Sequence, residues 1–211
     1  MNLVFDLDGT LIDSSQRHKL VFRDVLEKHG ILISPLQQEE YMRYKSLGNS
    51  TMDYLIAVMH LPENQAKQLV EDWVLLIEDE QYLSSDQLYP DVLDILHKLS
   101  ASHNIMYLTA RKNRDGVEQQ LKQYGLSTIS KQLSVVSPIN AKKEKKQVIE
   151  RFGLIKADTI IIGDTYIEYA VADELGINCI ILNRGFRSKE YWDELGILSY
   201  PSLESALVHL C

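Results

Sequence analysis

Five short apolar runs, at residues 3–5, 105–108, 133–136, 159–162 and 178–182, carry almost no polar alternation. Runs of this length predict strands covered on both faces, as in a parallel sheet with helices above and below. The segments between them switch to a helical period. Val92, Ile95, Leu96 and Leu99 recur at that spacing, as do Val117, Leu121 and Tyr124. Val148, Ile149 and Phe152 follow it too, and so do Ala170, Val171 and Leu175. Strand and helix in alternation predict an α/β fold with a doubly wound parallel sheet.

The first strand breaks the rhythm. Residues 14–88 show no strand pattern and read as helices, carried by Leu20, Val21, Val25 and Leu26, then Met52, Leu55, Ile56 and Met59, then Leu69, Trp73, Leu76 and Ile77. Gly30, Pro35, Gly48 and Pro62 punctuate them. The expected organisation is an α/β core of residues 1–13 and 89–211, with a small all-helical lid of residues 14–88 inserted after the first strand. Ligands of open α/β sheets bind beyond the carboxyl ends of the strands, so a lid there would cover the site.

Composition narrows the function. A formal charge of −8 and a pI near 5.3 speak against nucleic acid or an anionic membrane as partner, since both reward basic surface. No apolar run approaches the ~18 residues of a membrane span, and the start has no signal-peptide character. Two cysteines, Cys179 and Cys211, make no disulfide framework, and a cytoplasmic setting is expected. The six histidines show no metal-ligand spacing.

The chemistry concentrates at strand ends. Phe5-Asp6-Leu7-Asp8-Gly9-Thr10 delivers two carboxylates two positions apart, followed by a glycine that permits a sharp turn. Asp8-Gly9 could merely form a bend, but neighbouring buried acids are costly without a cation or hydrogen bonds. Leu108-Thr109-Ala110-Arg111 ends a second strand on a hydroxyl, which could also be a helix cap. Ile162-Gly163-Asp164 ends a third on an acid. One crevice at the carboxyl ends of the strands would gather Asp6, Asp8, Thr109 and Asp164.

In these motifs, and in their order along the whole chain, the sequence resembles the haloacid dehalogenase-like superfamily, in its phosphatase branch. The helical lid resembles the phosphoglycolate-phosphatase and β-phosphoglucomutase group. The resemblance implies that Asp6 attacks phosphorus to form an aspartyl-phosphate. Asp8 would serve as general acid and then base, starting protonated through a raised pKa. Leu7, Gly9, Thr109 and Ala110 would contact the transferring phosphoryl group. The cofactor implied is Mg²⁺, held by Asp6, the backbone carbonyl of Asp8, and Asp164, with the reach of Glu168 left open. A lysine should neutralise the phosphate. Its spacing from Asp164 favours Lys142, then Lys143, then Lys145, all within one basic stretch.

The resulting expectation is a Mg²⁺-dependent phosphatase of a small phosphorylated metabolite. A phosphomutase or phosphotransferase, or a non-catalytic phospho-ligand binder, would use the same framework. Gly48, Asn49 and Ser50 are candidate lid contacts for the leaving group. Trp73 is read as packing rather than substrate stacking, and Arg111 and Arg184 either as charges near the substrate or as solvated surface positions.

Overall fold

The computed structural model describes residues 1–154, 156–206 and 208 of the chain; His209 and Cys211 lie outside the described residues. Strand β1 (Asn2–Phe5) leads through a two-residue strand β2 (Ile12–Asp13) into helices α1 (Ser15–Lys28), α2 (Pro35–Ser46), α3 (Thr51–Asp53), α4 (Glu63–Leu76) and α5 (Glu80–Leu83). After strand β3 (Gln87–Leu88), helix and strand alternate: α6 (Val92–Ser100), β4 (Asn104–Ala110), α7 (Arg114–Gln123), α8 (Leu126–Ile129), β5 (Leu133–Val136) and α9 (Ala141–Arg151). Then come β6 (Thr159–Gly163), α10 (Tyr166–Leu175), β7 (Asn178–Leu182), α11 (Lys189–Glu194), β8 (Ser199–Tyr200) and α12 (Leu203–Ala206).

Six strands form one parallel sheet in the order β5-β4-β1-β6-β7-β8. The absence of alternation in the apolar runs has its cause here. In β1, Leu3 and Phe5 enter a core on one face of the sheet while Val4 enters a core on the other. The central strands β1, β4 and β6 are thus apolar on both sides. Phe5 lies level with Tyr107 of β4 and Ile162 of β6. The chain therefore leaves β1, β4 and β6 at nearly one level, and Asp6, Thr109 and Asp164 emerge there together.

Helices α1 to α5 bury a third core of their own, including Val21, Phe22, Tyr41, Tyr54 and Leu69. Phe22 stacks on Tyr41 with ring centroids 3.7 Å apart, and the Tyr41 hydroxyl pairs with that of Thr51 at 2.9 Å. The segment read as strand-free does contain a strand. β3 pairs antiparallel with β2 at the base of the helical unit. Two-residue strands such as β2, β3 and β8 carry no readable period. Helix α2 escapes the pattern because Tyr41 is its buried residue, yet its start is marked by Pro35 and by a capping box between Ser34 and Gln37. The helix expected through Met52–Met59 runs from α3 into a π-turn at Tyr54–Val58, which buries Leu55 and turns Ile56 outward. Among the described residues, no helix is long and apolar enough to cross a membrane.

Candidate active site

At the end of β1 the backbone N–H of Asp6 donates to Ile162 O at 2.9 Å, fixing its carboxylate beside the end of β6. Lys145 reaches it from α9. Its Nζ donates to Asp6 Oδ1 at 2.9 Å and to Glu168 Oε1 at 2.5 Å, and all three side chains are buried. Glu168 also closes the capping box of α10, where the Thr165 hydroxyl donates to its Oε2 at 2.5 Å. Asp164 is fully buried. Its Oδ2 accepts Phe186 N–H at 2.6 Å and its Oδ1 accepts the Thr10 hydroxyl at 3.2 Å.

The lysine prediction requires correction. Lys142 is half-exposed and pairs with Glu174 at 2.7 Å on the outer side of α9. Ala141, Lys145, Val148 and Ile149 form the buried stripe of that helix, and helical geometry puts position 142 a hundred degrees or so away from 141. Spacing to Asp164 misled; the helical period around Val148 and Ile149 would have pointed to Lys145.

One oxygen of each of Asp6, Asp164 and Glu168 falls within 4.8 Å of the others, all three residues being buried. Burial, held in check by Lys145, pushes Asp6 up to about 6. Burial and the neighbouring charges of Asp6 and Glu168 push Asp164 well above the carboxylate range. Burial opposes ionisation of Glu168 also, but Lys145 outweighs it and holds Glu168 low. Three buried carboxylates thus share one ammonium, and the charge left over is what a hard divalent cation would neutralise. Oxygen donors of this kind suit Mg²⁺. Close backbone supports the cluster. A Cβ on Gly9, whose φ is +75°, would come within 2.2 Å of Asp164 Oδ2, and one on Gly185 within 2.1 Å, so glycine is required at both positions.

Asp8 is held differently. Arg111 grips it with Nε on Oδ2 at 2.6 Å and Nη2 on Oδ1 at 2.5 Å, and Arg17 Nη2 donates to the same Oδ1. Burial alone would raise its proton affinity, but the two guanidiniums outweigh that and keep Asp8 well below the usual carboxylate range. The expectation of a raised pKa fails in this state. Arg17, on which the sequence reading is silent, and Arg111, for which a solvated position is one of two readings, are 2% and 3% exposed.

These groups open on a cavity of about 220 Å³. The core supplies Asp6, Asp8, Thr109, Ala110, Arg111 and Lys145 to its wall, and the helical unit supplies Arg17, His18, Trp73, Ile77 and Glu78. Leu7 and Gly9 do not line it. Leu7 is a core residue, and Gly9, expected to contact phosphate, has its N–H committed to Ile12 O at 2.7 Å. Gly48, Asn49 and Ser50 also miss the cavity: Gly48 turns the chain at φ +97°, the Asn49 amide bonds Tyr44 O, and Ser50 caps α3. Arg184 is no loose surface residue either. It ties the loop after β7 to Thr10 O and to Asp91.

The helical unit is docked on the core from two sides. The Glu78 carboxylate accepts the N–H groups of Lys112 and Asn113 at 2.8 to 3.0 Å. On the opposite side, Ser188 N–H donates to Ser46 O at 3.0 Å and Arg187 to Lys45 O at 2.8 Å. Between these contacts Lys45 Nζ sits over the Trp73 ring, 4.9 Å from its centroid. Burial, with Arg187 nearby, lowers it to about 7.

A family description of haloacid dehalogenase-like hydrolases matches residues 3–182. The chain belongs to the haloacid dehalogenase-like hydrolases. It is 22% identical over 189 residues to a phosphoglycolate phosphatase of Synechococcus elongatus, covering 89% of this chain and 86% of the relative. Identity to a phosphoglycolate phosphatase of Rhodobacter capsulatus is 25% over 190 residues, covering 88% and 85%. The fold superimposes on a haloacid dehalogenase-like family hydrolase from Streptococcus pneumoniae with a TM-score of 0.78 at 22% identity, over 100% of this chain and 98% of that one. Within this family frame, the ends of β1, β4 and β6 are where the haloacid dehalogenase-like hydrolase gathers its acids, its hydroxyl and its buried lysine.

Proposed function

We propose that this hydrolase is a Mg²⁺-dependent phosphomonoester phosphatase that works through an aspartyl-phosphate on Asp6. The observation that carries this reading is the buried cluster of Asp6, Lys145, Asp164 and Glu168 opening on a cavity walled by Thr109 and Ala110. Magnesium would be held by Asp6, Asp164 and the Asp8 carbonyl, and it supplies charge neutralisation that lets a carboxylate approach a phosphate dianion. The similarity to phosphoglycolate phosphatases supports a small phosphorylated metabolite as substrate.

In this reading the Thr109 hydroxyl, the Ala110 N–H and Lys145 Nζ bind the phosphoryl oxygens and offset the charge of the transition state. Asp6 attacks phosphorus, the bond to the leaving oxygen breaks, and that oxygen takes the electron pair and a proton from Asp8, which must first take that proton from solvent once its carboxylate has turned away from Arg17 and Arg111. Asp8 then removes a proton from water, which attacks the same phosphorus and frees Asp6. Residues 14–88 act as the lid: docked through Glu78 and Ser46, they exclude bulk water, and undocked they exchange substrate and product. The free thiol among the described residues, the half-buried Cys179, suits a cytoplasmic setting.

The direct test is release of p-nitrophenol from p-nitrophenyl phosphate. Turnover is expected with Mg²⁺ and loss to background with EDTA; equal rates in both would refute the metal-dependent mechanism. A second consequence concerns stability. The folded-state pKa of Asp6, about 6, lies above its ordinary 3.8, so its ionised form costs the fold stability as pH rises from 4 to 6, and the cost is complete above that. Asp164 is shifted the same way. Added Mg²⁺ is therefore expected to raise the melting midpoint more at pH 7 than at pH 5, where protons compete for the same oxygens. A larger increment at pH 5 would contradict the ligand set.

A further inference from the structure

The reaction as proposed asks Asp8 to abandon two buried guanidiniums. Arg17, from α1 of the helical unit, and Arg111, at the end of β4, are both held on its carboxylate, and a buried cation deprived of its anion is costly. Among the described residues, one other acid pairs with either arginine. Asp86, its side chain fully buried, places Oδ1 3.2 Å from Arg17 Nε and Oδ2 3.8 Å from Arg111 Nη2. It stands directly before β3, where the chain returns from the helical unit, and it is tied to the core. Gln120 Nε2 donates to its Oδ2 at 2.8 Å, and the Tyr124 hydroxyl donates to its carbonyl at 2.6 Å. Its pairing with the arginines is incomplete. Asp86 Oδ1, Arg17 Nε and Arg111 Nη1 are buried with no hydrogen-bond partner among the described residues, although such groups are ordinarily satisfied. Glu78 also acts on Arg111, but its carboxylate is committed to the N–H groups of Lys112 and Asn113.

We propose that Asp86 is a positioning residue that takes over Arg17 and Arg111 when Asp8 turns to the ester oxygen. This inference rests on the phosphatase reading above. Arg17 need only rotate to align its unpaired Nε with the unpaired Asp86 Oδ1, 3.2 Å away, as its Nη2 leaves Asp8. No atom is transferred in this step; one buried carboxylate replaces another as the counter-ion. Burial pushes the pKa of Asp86 up to about 6 against the pull of Arg17, so above neutral pH it is an anion and able to serve. Because Asp86 is anchored to α7 and Tyr124 of the core, the exchange also keeps α1, and the lid with it, docked while Asp8 is away. With a neutral side chain at position 86, release of Asp8 would strand both cations. Asp8 would then stay in the guanidinium fork, and the proton donor would be missing from the ester oxygen.

The test compares kcat/KM for phenyl phosphate and p-nitrophenyl phosphate, two esters of one ring that differ in their need for an acid. Phenolate holds a proton about as tightly as tyrosine does, with a pKa of about 10, whereas p-nitrophenolate departs readily without one. General acids contribute about 10²–10⁴-fold. Asp86→Asn keeps the shape of the side chain and removes its charge. It is expected to lower kcat/KM by about 100-fold or more for phenyl phosphate and by about tenfold or less for the nitro ester. A merely structural role would lower both alike. Losses within about threefold of each other, or no loss on either ester, would overturn the proposal. If Asp86→Asn gives no cooperative melt, Gln120→Met takes its place, since it leaves the carboxylate and removes the hydrogen bond that orients it. A shift of the ratio in the same direction by about threefold or more is expected, and an unchanged ratio counts against the proposal. Failure of the parent reading looks different. A wild-type protein that leaves p-nitrophenyl phosphate intact with Mg²⁺ refutes the phosphatase reading, and an unchanged ratio in Asp8→Asn refutes Asp8 as the acid. A shifted ratio in Asp8→Asn with none in the Asp86 variant refutes only the exchange of counter-ions.

Discussion

Asp6→Asn is expected to abolish phosphatase turnover, with a loss of about 10⁴-fold or more in kcat. The amide keeps the shape of the carboxylate and removes its nucleophilicity. It also removes one of the oxygens within 4.8 Å that would hold the cation. The fold should survive. Lys145 keeps Glu168 as its partner at 2.5 Å, and Phe5, just before the substitution, is fixed by parallel pairing to both β4 and β6. A cooperative melt and an unchanged far-ultraviolet circular dichroism spectrum are therefore expected alongside the lost activity. Retention of near-wild-type rate would exclude Asp6 as nucleophile.

Lys145→Met is expected to be the second most damaging change, and it separates two readings of one basic stretch. The substitution leaves Asp6, Glu168 and Asp164 buried without an ammonium. Removing one partner from a buried ion pair typically costs about 3–5 kcal/mol, although bound Mg²⁺ would recover part of it. On the phosphatase reading it also removes a cation from the transferring phosphoryl group, for which a loss of about 10²–10³-fold in kcat is expected. Lys142→Met removes an exposed pair with Glu174 and is expected to change stability by about 1 kcal/mol or less. Steady-state assays and thermal melts of the two variants decide the matter. Comparable losses in both would mean that the spacing argument for Lys142 held after all and that the buried position of Lys145 is only structural.

The sequence disclosed the sheet because buried parallel strands have a plain signature: residues 3–5 and 160–162 are apolar without interruption, and each of these two strands indeed has a core on both sides. Asp6, Thr109 and Asp164 were legible for the same reason, since a polar residue at the end of such a run has few structural excuses. Side chains placed by helices were harder to read. Lys145 and Arg17 sit on buried stripes with Val148 and Ile149 and with Val21 and Val25. A charged residue on an apolar stripe is the signal that would have identified them. The state of Asp8 could not be read at all. It depends on Arg17 and Arg111, 9 and 103 positions away along the chain, which only the folded chain brings together. The lid contacts failed likewise, because glycine and serine at helix boundaries, such as Gly48 and Ser50, serve turns and caps as readily as ligands.

The central claim is that phosphate passes through Asp6. The measurement closest to it is acid-quenched mass spectrometry of protein caught during steady-state turnover of p-nitrophenyl phosphate with Mg²⁺. The account predicts that the peptide spanning β1 and Asp8 gains the mass of one phosphoryl group, on Asp6, in the wild-type protein and not in Asp6→Asn. Turnover without that adduct, or the adduct on another residue, would contradict it.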